Sequence, residues 1–228
     1  MNDIQLHYIE QGQGEPLILL HGNGENSAYF ERQIACFSHD YRVIALDTRG
    51  HGQSPRGEKP FTIKQFAEDL HDFMDEKGIE KAILLGFSDG GNIALEFALK
   101  HPQRVEKLIL NGANLYPSGV KPLYQKPIEI GYRLAKMFSE KSEKAQRNAE
   151  MLGLMVNEPH IDPEELSKLT MPVLVVAGTK DMIKESHTRL IYNSLPNAQL
   201  SLIDGDHFIA NKNPEPFNQA VTSFLSPN

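Results

Sequence analysis

The run Gly86-Phe87-Ser88-Asp89-Gly90-Gly91 places a serine midway between two glycines, in the pattern G-x-S-x-G. Three fixed positions of this kind arise by chance roughly 0.07 times in a chain of this size, so the pattern alone carries little. Its setting carries more. It follows the strand-like run Lys81-Ala82-Ile83-Leu84-Leu85 and opens the helical run Asn92-Ile93-Ala94-Leu95-Glu96-Phe97-Ala98-Leu99. A sharp strand-to-helix turn presents a serine hydroxyl clear of the sheet edge on strained backbone. Gly86 and Gly90 let neighbouring backbone approach without a Cβ in the way. The helix turns its N-terminal N–H groups and positive dipole end toward any oxyanion forming there. The chemistry this spacing suits is attack by Ser88 Oγ on a carbonyl carbon, once a base takes its proton.

Such a site needs strands whose ends meet along one edge. Pro16 to Leu20, Tyr41 to Leu46, Lys81 to Leu85, Val105 to Leu110, Pro172 to Ala177 and Gln199 to Ile203 are short Leu-rich and β-branched runs, most of them continuously apolar. Continuous apolarity marks strands buried on both faces, as in a parallel sheet covered by helices on each side. Asn26 to Phe37, Thr62 to Lys77, Asn92 to Lys100, Lys184 to Ser194 and Pro214 to Leu225 are the crossover helices. Thr62 reads as an N-cap with Gln65 three residues on. Between about residues 113 and 170 the alternation stops. Prolines 117, 122, 127, 159 and 163 punctuate this stretch, and helical patterns run from Ile128 to Phe138 and from Ser142 to Val156. It reads as a helical insertion between two strands of one domain spanning residues 1–228.

Length and charge narrow the partners. With 228 residues and 40% hydrophobic content, the chain supports one sizeable core. A net charge of −7 argues against a nucleic-acid surface and gives anionic lipid no overall attraction. No apolar run reaches the roughly 18 residues of a membrane span, and Met1 to His7 lacks the basic and apolar regions of a signal peptide. The single cysteine, Cys36, excludes an internal disulfide and reads as a buried structural thiol on the apolar side of a helix. These features fit a cytoplasmic protein that acts on a small molecule without membrane or nucleic-acid partners, as a monomer or a homodimer.

Further motifs give the chain a resemblance. His21-Gly22-Asn23-Gly24, Asp47-Thr48-Arg49-Gly50-His51-Gly52-Gln53-Ser54, Gly178-Thr179-Lys180-Asp181 and Gly205-Asp206-His207-Phe208 resemble, in turn, the oxyanion loop, the D-x-R-G-x-G-x-S loop, the acid loop and the histidine loop of the α/β-hydrolase fold family. The resemblance covers nearly the whole chain. It implies a mostly parallel central sheet with helices on both faces and a short helical cap. It also implies a serine hydrolase, closest in motif to biphenyl-hydrolase-like and other small-ester hydrolases. The family usually has Gly where this chain has Asp206.

Nine histidines compete for the role of base. His207 alone follows the last buried strand within a turn signal, where its ring can reach across the sheet edge. Asp181 follows the preceding strand and gives the chain order Ser, Asp, His that this fold imposes. Asp204 and Asp206 lie nearer in sequence, but a close neighbour rarely points at the ring's Nδ1. Ser88, Asp181 and His207 are therefore the expected catalytic residues, and the backbone N–H groups of Asn23 and Asp89 the expected oxyanion hole. His51 and Arg49 are read as loop braces. The triad needs no metal or other cofactor.

Asp89 has a free side chain, and a carboxylate there suits either local hydrogen bonding at a helix N-terminus or pairing with a substrate amine. Biphenyl-hydrolase-like α-amino-ester hydrolases share a Ser-Asp-Gly-Gly run of this kind, which implies a preference for amino-acyl esters. Tyr124, Met151 and Met155 of the insertion are candidate linings of an apolar acyl pocket. The expected reaction is cleavage of a small or medium carboxylic ester, amide or thioester through an acyl-enzyme. Carbon–carbon hydrolase and lactonase activities stay open, as does a ligand-sensing role with slow hydrolysis.

Overall fold

The computed structural model describes residues 3–226. Met1 and Asn2, which begin the segment read for a leader, lie outside the described residues. Seven strands form one sheet: β1 (Tyr8–Gln11), β2 (Pro16–Leu20), β3 (Arg42–Leu46), β4 (Ala82–Phe87), β5 (Val105–Asn111), β6 (Val173–Gly178) and β7 (Ala198–Ile203), in the order β1-β3-β2-β4-β5-β6-β7. Only β1 runs antiparallel, against β3; every other pairing is parallel. Each apolar run of the sequence thus became a strand.

The helices are α1 (Glu31–Phe37), α2 (Ile63–Glu76), α3 (Asp89–Lys100), α4 (Pro122–Phe138), α5 (Glu143–Asn157), α6 (Glu185–Ser194), α7 (Ile209–Lys212) and α8 (Pro214–Leu225). Side chains alternate across the strands into two cores. Ile18 and Leu20 pack with α2 and α3 on one face; Leu17 and Leu19 pack with α1 and α8 on the other. Burial on both faces is why these strands read as unbroken apolar runs rather than alternating ones.

Thr62 caps α2, its side chain accepting from Gln65 N at 3.1 Å. Gln65 does not close the reciprocal half of the box; its amide donates to Asp69 at 2.9 Å. Ser142 caps α5 in the same way. α4 begins earlier than the proline pattern predicts and runs through Pro127. Pro122 occupies its first turn, where a missing N–H costs nothing, and Pro127 lies on the exposed side. Cys36 is exposed, contrary to its expected burial. A 3-10 turn (Ser27–Phe30) precedes α1 and shifts its inner face to Gln33, Ile34 and Phe37. Gln33 takes the interior place by donating to Ala210 O at 2.8 Å and Asn218 Oδ1 at 2.9 Å.

α4 and α5 lie between β5 and β6 and pack on each other. Their stems are tied to the sheet edge. Val120 bridges Ile183 in antiparallel fashion, Lys121 N donates to Met182 O at 2.8 Å, and Leu115 N donates to His187 Nε2 at 2.9 Å.

Candidate active site

Ser88 joins β4 to α3 with φ 53° and ψ −119°, the one non-glycine residue at positive φ among the described residues. Such backbone costs about 1–3 kcal/mol and persists only where its surroundings over-determine it. Three bonds hold it: Ser88 N donates to Asn111 O at 2.8 Å, and Gly91 N and Asn92 N donate to Ser88 O at 2.8 and 3.1 Å. The flanking glycines are required by contact. A Cβ on Gly90 would stand 1.9 Å from Leu20 O, and one on Gly86 would stand 2.2 Å from Gly90 O.

The loop after β7 brings His207 to this turn. Its Nε2 lies 3.0 Å from Ser88 Oγ, and its Nδ1 lies 2.7 Å from Asp181 Oδ1. Asp181 and His207 are 2% and 5% exposed, so the pair sits out of bulk water. Asp181 Oδ1 also accepts from Ile183 N at 2.8 Å, which fixes the carboxylate's direction. With the carboxylate ionised, Nδ1 carries the proton and Nε2 is free to accept from the serine hydroxyl. Gly112, at φ 63°, clears the imidazole: a Cβ there would lie 2.7 Å from His207 Cε1. The rival acids point elsewhere. Asp204 accepts from Thr179 Oγ1 at 3.0 Å. Asp206 pairs with Lys212, which holds its carboxyl below the usual range, and accepts from Phe208 N at 2.9 Å.

Asn23 and Asp89 are joined through their side chains. Asn23 Nδ2 donates to Asp89 Oδ2 at 2.9 Å and to Met151 O of α5 at 2.8 Å. The loop after β2 is thereby pinned to the N-terminus of α3. Asp89 is the first residue of α3, so its N–H has no partner within the helix. Its carboxylate also accepts from Asn92 Nδ2 at 3.3 Å, and Asn92 in turn binds Asn114. At 7% exposure this carboxylate is desolvated, which raises its pKa despite the two amide donors. These bonds match the local role rather than an open amine receptor.

The neighbouring loop is braced as read from sequence. His21 Nδ1 bonds Gly22 O at 2.7 Å, and its Nε2 accepts from Thr48 N at 3.0 Å. His51 Nδ1 bonds Arg49 O at 3.0 Å. Arg49, fully buried, donates to both oxygens of Asp69 and of Asp3, tying this loop to α2 and to the start of the chain.

The three insertion residues fare differently. Met151 is tied to Asn23 through its carbonyl, and it borders a cavity of about 430 Å³ with Arg56, Phe61 and Arg147, a space that Ser88, Asp181 and His207 do not line. Met155 contributes a carbonyl to Gln125 Nε2 at 3.2 Å. Tyr124 is 43% exposed on α4. No motif in the sequence marks Asn92, Gly112 or Glu25 as part of this site. Glu25 is half-buried on the Asn23 loop; desolvation raises its pKa to about 6, with His207 drawing it back down.

The sequence pattern of the alpha/beta hydrolase fold family matches residues 15–148. A putative carbamate hydrolase, RutD, of Caulobacter sp. (strain K31) is 30% identical over 254 residues, covering 97% of this chain and 94% of the relative. The human serine hydrolase BPHL is 29% identical over 251 residues, covering 99% of this chain and 84% of its own. In solved structures, the enol-lactonase from Burkholderia xenovorans LB400 superposes with a TM-score of 0.84 at 22% identity, covering 99% and 98% of the two chains; that likeness speaks to the fold alone.

Proposed function

Since the chain belongs to the alpha/beta hydrolase fold family and is a hydrolase, we propose that it cleaves small or medium carboxylic esters through an acyl-enzyme on Ser88. The observation that carries this reading is the unbroken line from Ser88 Oγ through His207 to Asp181, at 3.0 and 2.7 Å. Ser88 Oγ attacks the ester carbonyl carbon while its proton passes to His207 Nε2. Asp181 steadies the imidazolium through Nδ1–H. The negative charge on the carbonyl oxygen meets the N–H groups of Asn23 and Asp89. His207 then hands its proton to the leaving alkoxide oxygen, and the acyl group remains on Ser88. Water, giving a proton to His207, attacks the acyl carbon; the acid departs and Ser88 regains its proton.

The relatives named as a carbamate hydrolase and a serine hydrolase suit this reading without choosing a substrate. The bonds on Asp89 favour a positioning role, so esters without an amine fall within the proposed range. No step calls for a cofactor. The reading places the enzyme in the cytoplasm, which a single cysteine suits. Among the described residues no helix is long and apolar enough to cross a membrane.

A panel of p-nitrophenyl and amino-acyl esters of graded size tests the proposal, with Ser88→Ala as control. The wild type is expected to turn over repeatedly and to be labelled at Ser88 by a fluorophosphonate. Ser88→Ala is expected to lose activity by about 10⁶-fold. Absence of both turnover and labelling in a folded wild type would overturn it.

A further inference from the structure

Nine large apolar side chains are exposed among the described residues, and six of them sit on α4 or at its end: Leu123, Tyr124, Ile130, Leu134, Met137 and Phe138. Leu123, Ile130 and Met137 are 78%, 60% and 63% exposed. Scattered exposed apolar residues are ordinary, but a concentrated patch marks an interaction surface. At about 100° per residue, Leu123, Pro127, Ile130, Leu134, Met137 and Phe138 fall within an arc of about 100°. The opposite face, with Gln125 and Tyr132, packs toward α5.

Charge distinguishes the possible occupants of this face. Residues 121–147 hold seven Lys or Arg against three Glu, a net charge of +4 in a chain of net −7. Lys126 and Arg133 are exposed and follow the apolar arc along one edge, about 20° and 40° beyond it. Among the described residues, Lys126, Arg133, Lys141 and Lys144 are in no ion pair, so their charge is available. Glu129 lies toward the far side of the helix. A two-fold pairing of α4 on itself would set two net +4 segments face to face. A bulky apolar stripe edged by exposed bases instead suits an interfacial helix, whose apolar residues enter the headgroup boundary while its bases meet anionic headgroups. α4 has 17 residues, with Lys126 and Arg133 among them, which suits lying in the interface rather than crossing it.

We propose that α4 is a peripheral docking face for an anionic lipid bilayer. The whole-chain charge of −7 conceals this because most of the acidic residues lie elsewhere, and exposed charges beyond about 10 Å are largely screened. The proposal does not rest on the reaction assigned to Ser88.

Flotation of the full chain with vesicles tests it, comparing phosphatidylcholine alone with equal parts phosphatidylcholine and phosphatidylglycerol. The wild type is expected to float with the anionic vesicles and not with the neutral ones, and to be released by salt. Lys126→Glu with Arg133→Glu is expected to weaken partitioning by at least about thirtyfold, and Ile130→Glu with Leu134→Glu to abolish it. All four side chains are exposed, so melting temperatures should stay at the wild-type value; if either pair unfolds the protein, the Gln versions carry the same test. A wild type that stays unbound to anionic vesicles overturns the proposal. So does binding by both double variants that equals the wild type's, or a dimer that Ile130→Glu with Leu134→Glu dissociates while no vesicle binding is seen, which would assign the face to a second copy.

Discussion

At the C-terminal edge of the sheet, backbone meets backbone: a Cβ on Gly90 would stand 1.9 Å from Leu20 O and 2.7 Å from His21 O. In the helical pair above it, the nearest atom to a Cβ on Gly131 is Leu152 Cδ1, the end of a flexible side chain, at 3.3 Å. The two regions are built on different terms. The edge fixes Ser88, Asp181 and His207 through strand ends and main-chain bonds, so their geometry has little room to drift. The helical pair is held by side-chain packing and a few polar stems, and it presents much of α4 to solvent. A rigid edge can keep a reactive constellation aligned while an adjustable layer above it changes what gains access.

Adding one methyl group to the sheet edge should expose the difference most strongly. Gly90→Ala forces its Cβ into the Leu20 and His21 carbonyls, which cannot move without shifting β2. We expect a loss of about 3 kcal/mol or more in urea unfolding. A loss below about 1 kcal/mol would show that the edge yields, and that the G-x-S-x-G spacing serves something other than close packing.

That packing also explains which features the sequence disclosed. Ser88, Asp181 and His207 were legible because each lies just beyond a strand, and strand ends in such a sheet converge on one edge. The pinning of Asn23 to Asp89 and Met151 was not legible. It joins residues 66 and 128 positions apart by single side-chain bonds that leave no periodic trace. Cys36 was misplaced for a related reason. Its exposure depends on where α1 begins, since moving that start by one residue turns the inward face by about 100°. Burial of Gln33 could not be foreseen either, since its partners Ala210 and Asn218 come from the far end of the chain.

Asp89 lies where the two regions touch, and replacing its charge sharpens their boundary. Asp89→Asn keeps the size but weakens the bonds from Asn23 and Asn92. Losing a charge-assisted bond of this kind costs roughly 1.5 kcal/mol, so kcat/KM should fall about tenfold. The fall should be equal for neutral and amino-acyl esters, because the carboxylate positions the loop. A loss confined to amino-acyl esters would instead show that the carboxylate receives a substrate amine.

The stems of the helical pair should respond to acid through His187. This ring is buried and accepts from Leu115 N through Nε2; burial lowers its pKa to about 4. Its folded value lies below the ordinary 6.5, so the unfolded chain binds the extra proton first. The neutral ring's contribution to stability is therefore full above about pH 6.5 and falls as pH drops toward about 4. His187→Gln supplies an acceptor that does not titrate in this range. Over that window the wild-type melting temperature should fall by a few degrees more than that of the variant. Parallel curves would show that His187 does not anchor the stem.

The smallest effect has the opposite sign to the largest, which makes it the most exacting test. Gly131 lies inside α4 with an ordinary helical φ, and its added Cβ would meet only Leu152 Cδ1 at 3.3 Å. That methyl can rotate away by a few tenths of an ångström. Alanine also restricts the unfolded chain and favours the helix by about 0.5–1 kcal/mol over glycine. Gly131→Ala should accordingly stabilise the protein by about 0.5 kcal/mol in urea unfolding, whereas the same change at Gly90 destabilises it severely. A destabilisation at Gly131 would mean that α4 and α5 are as tightly locked as the sheet edge. The layer above the site could then not adjust independently of the strands that position Ser88.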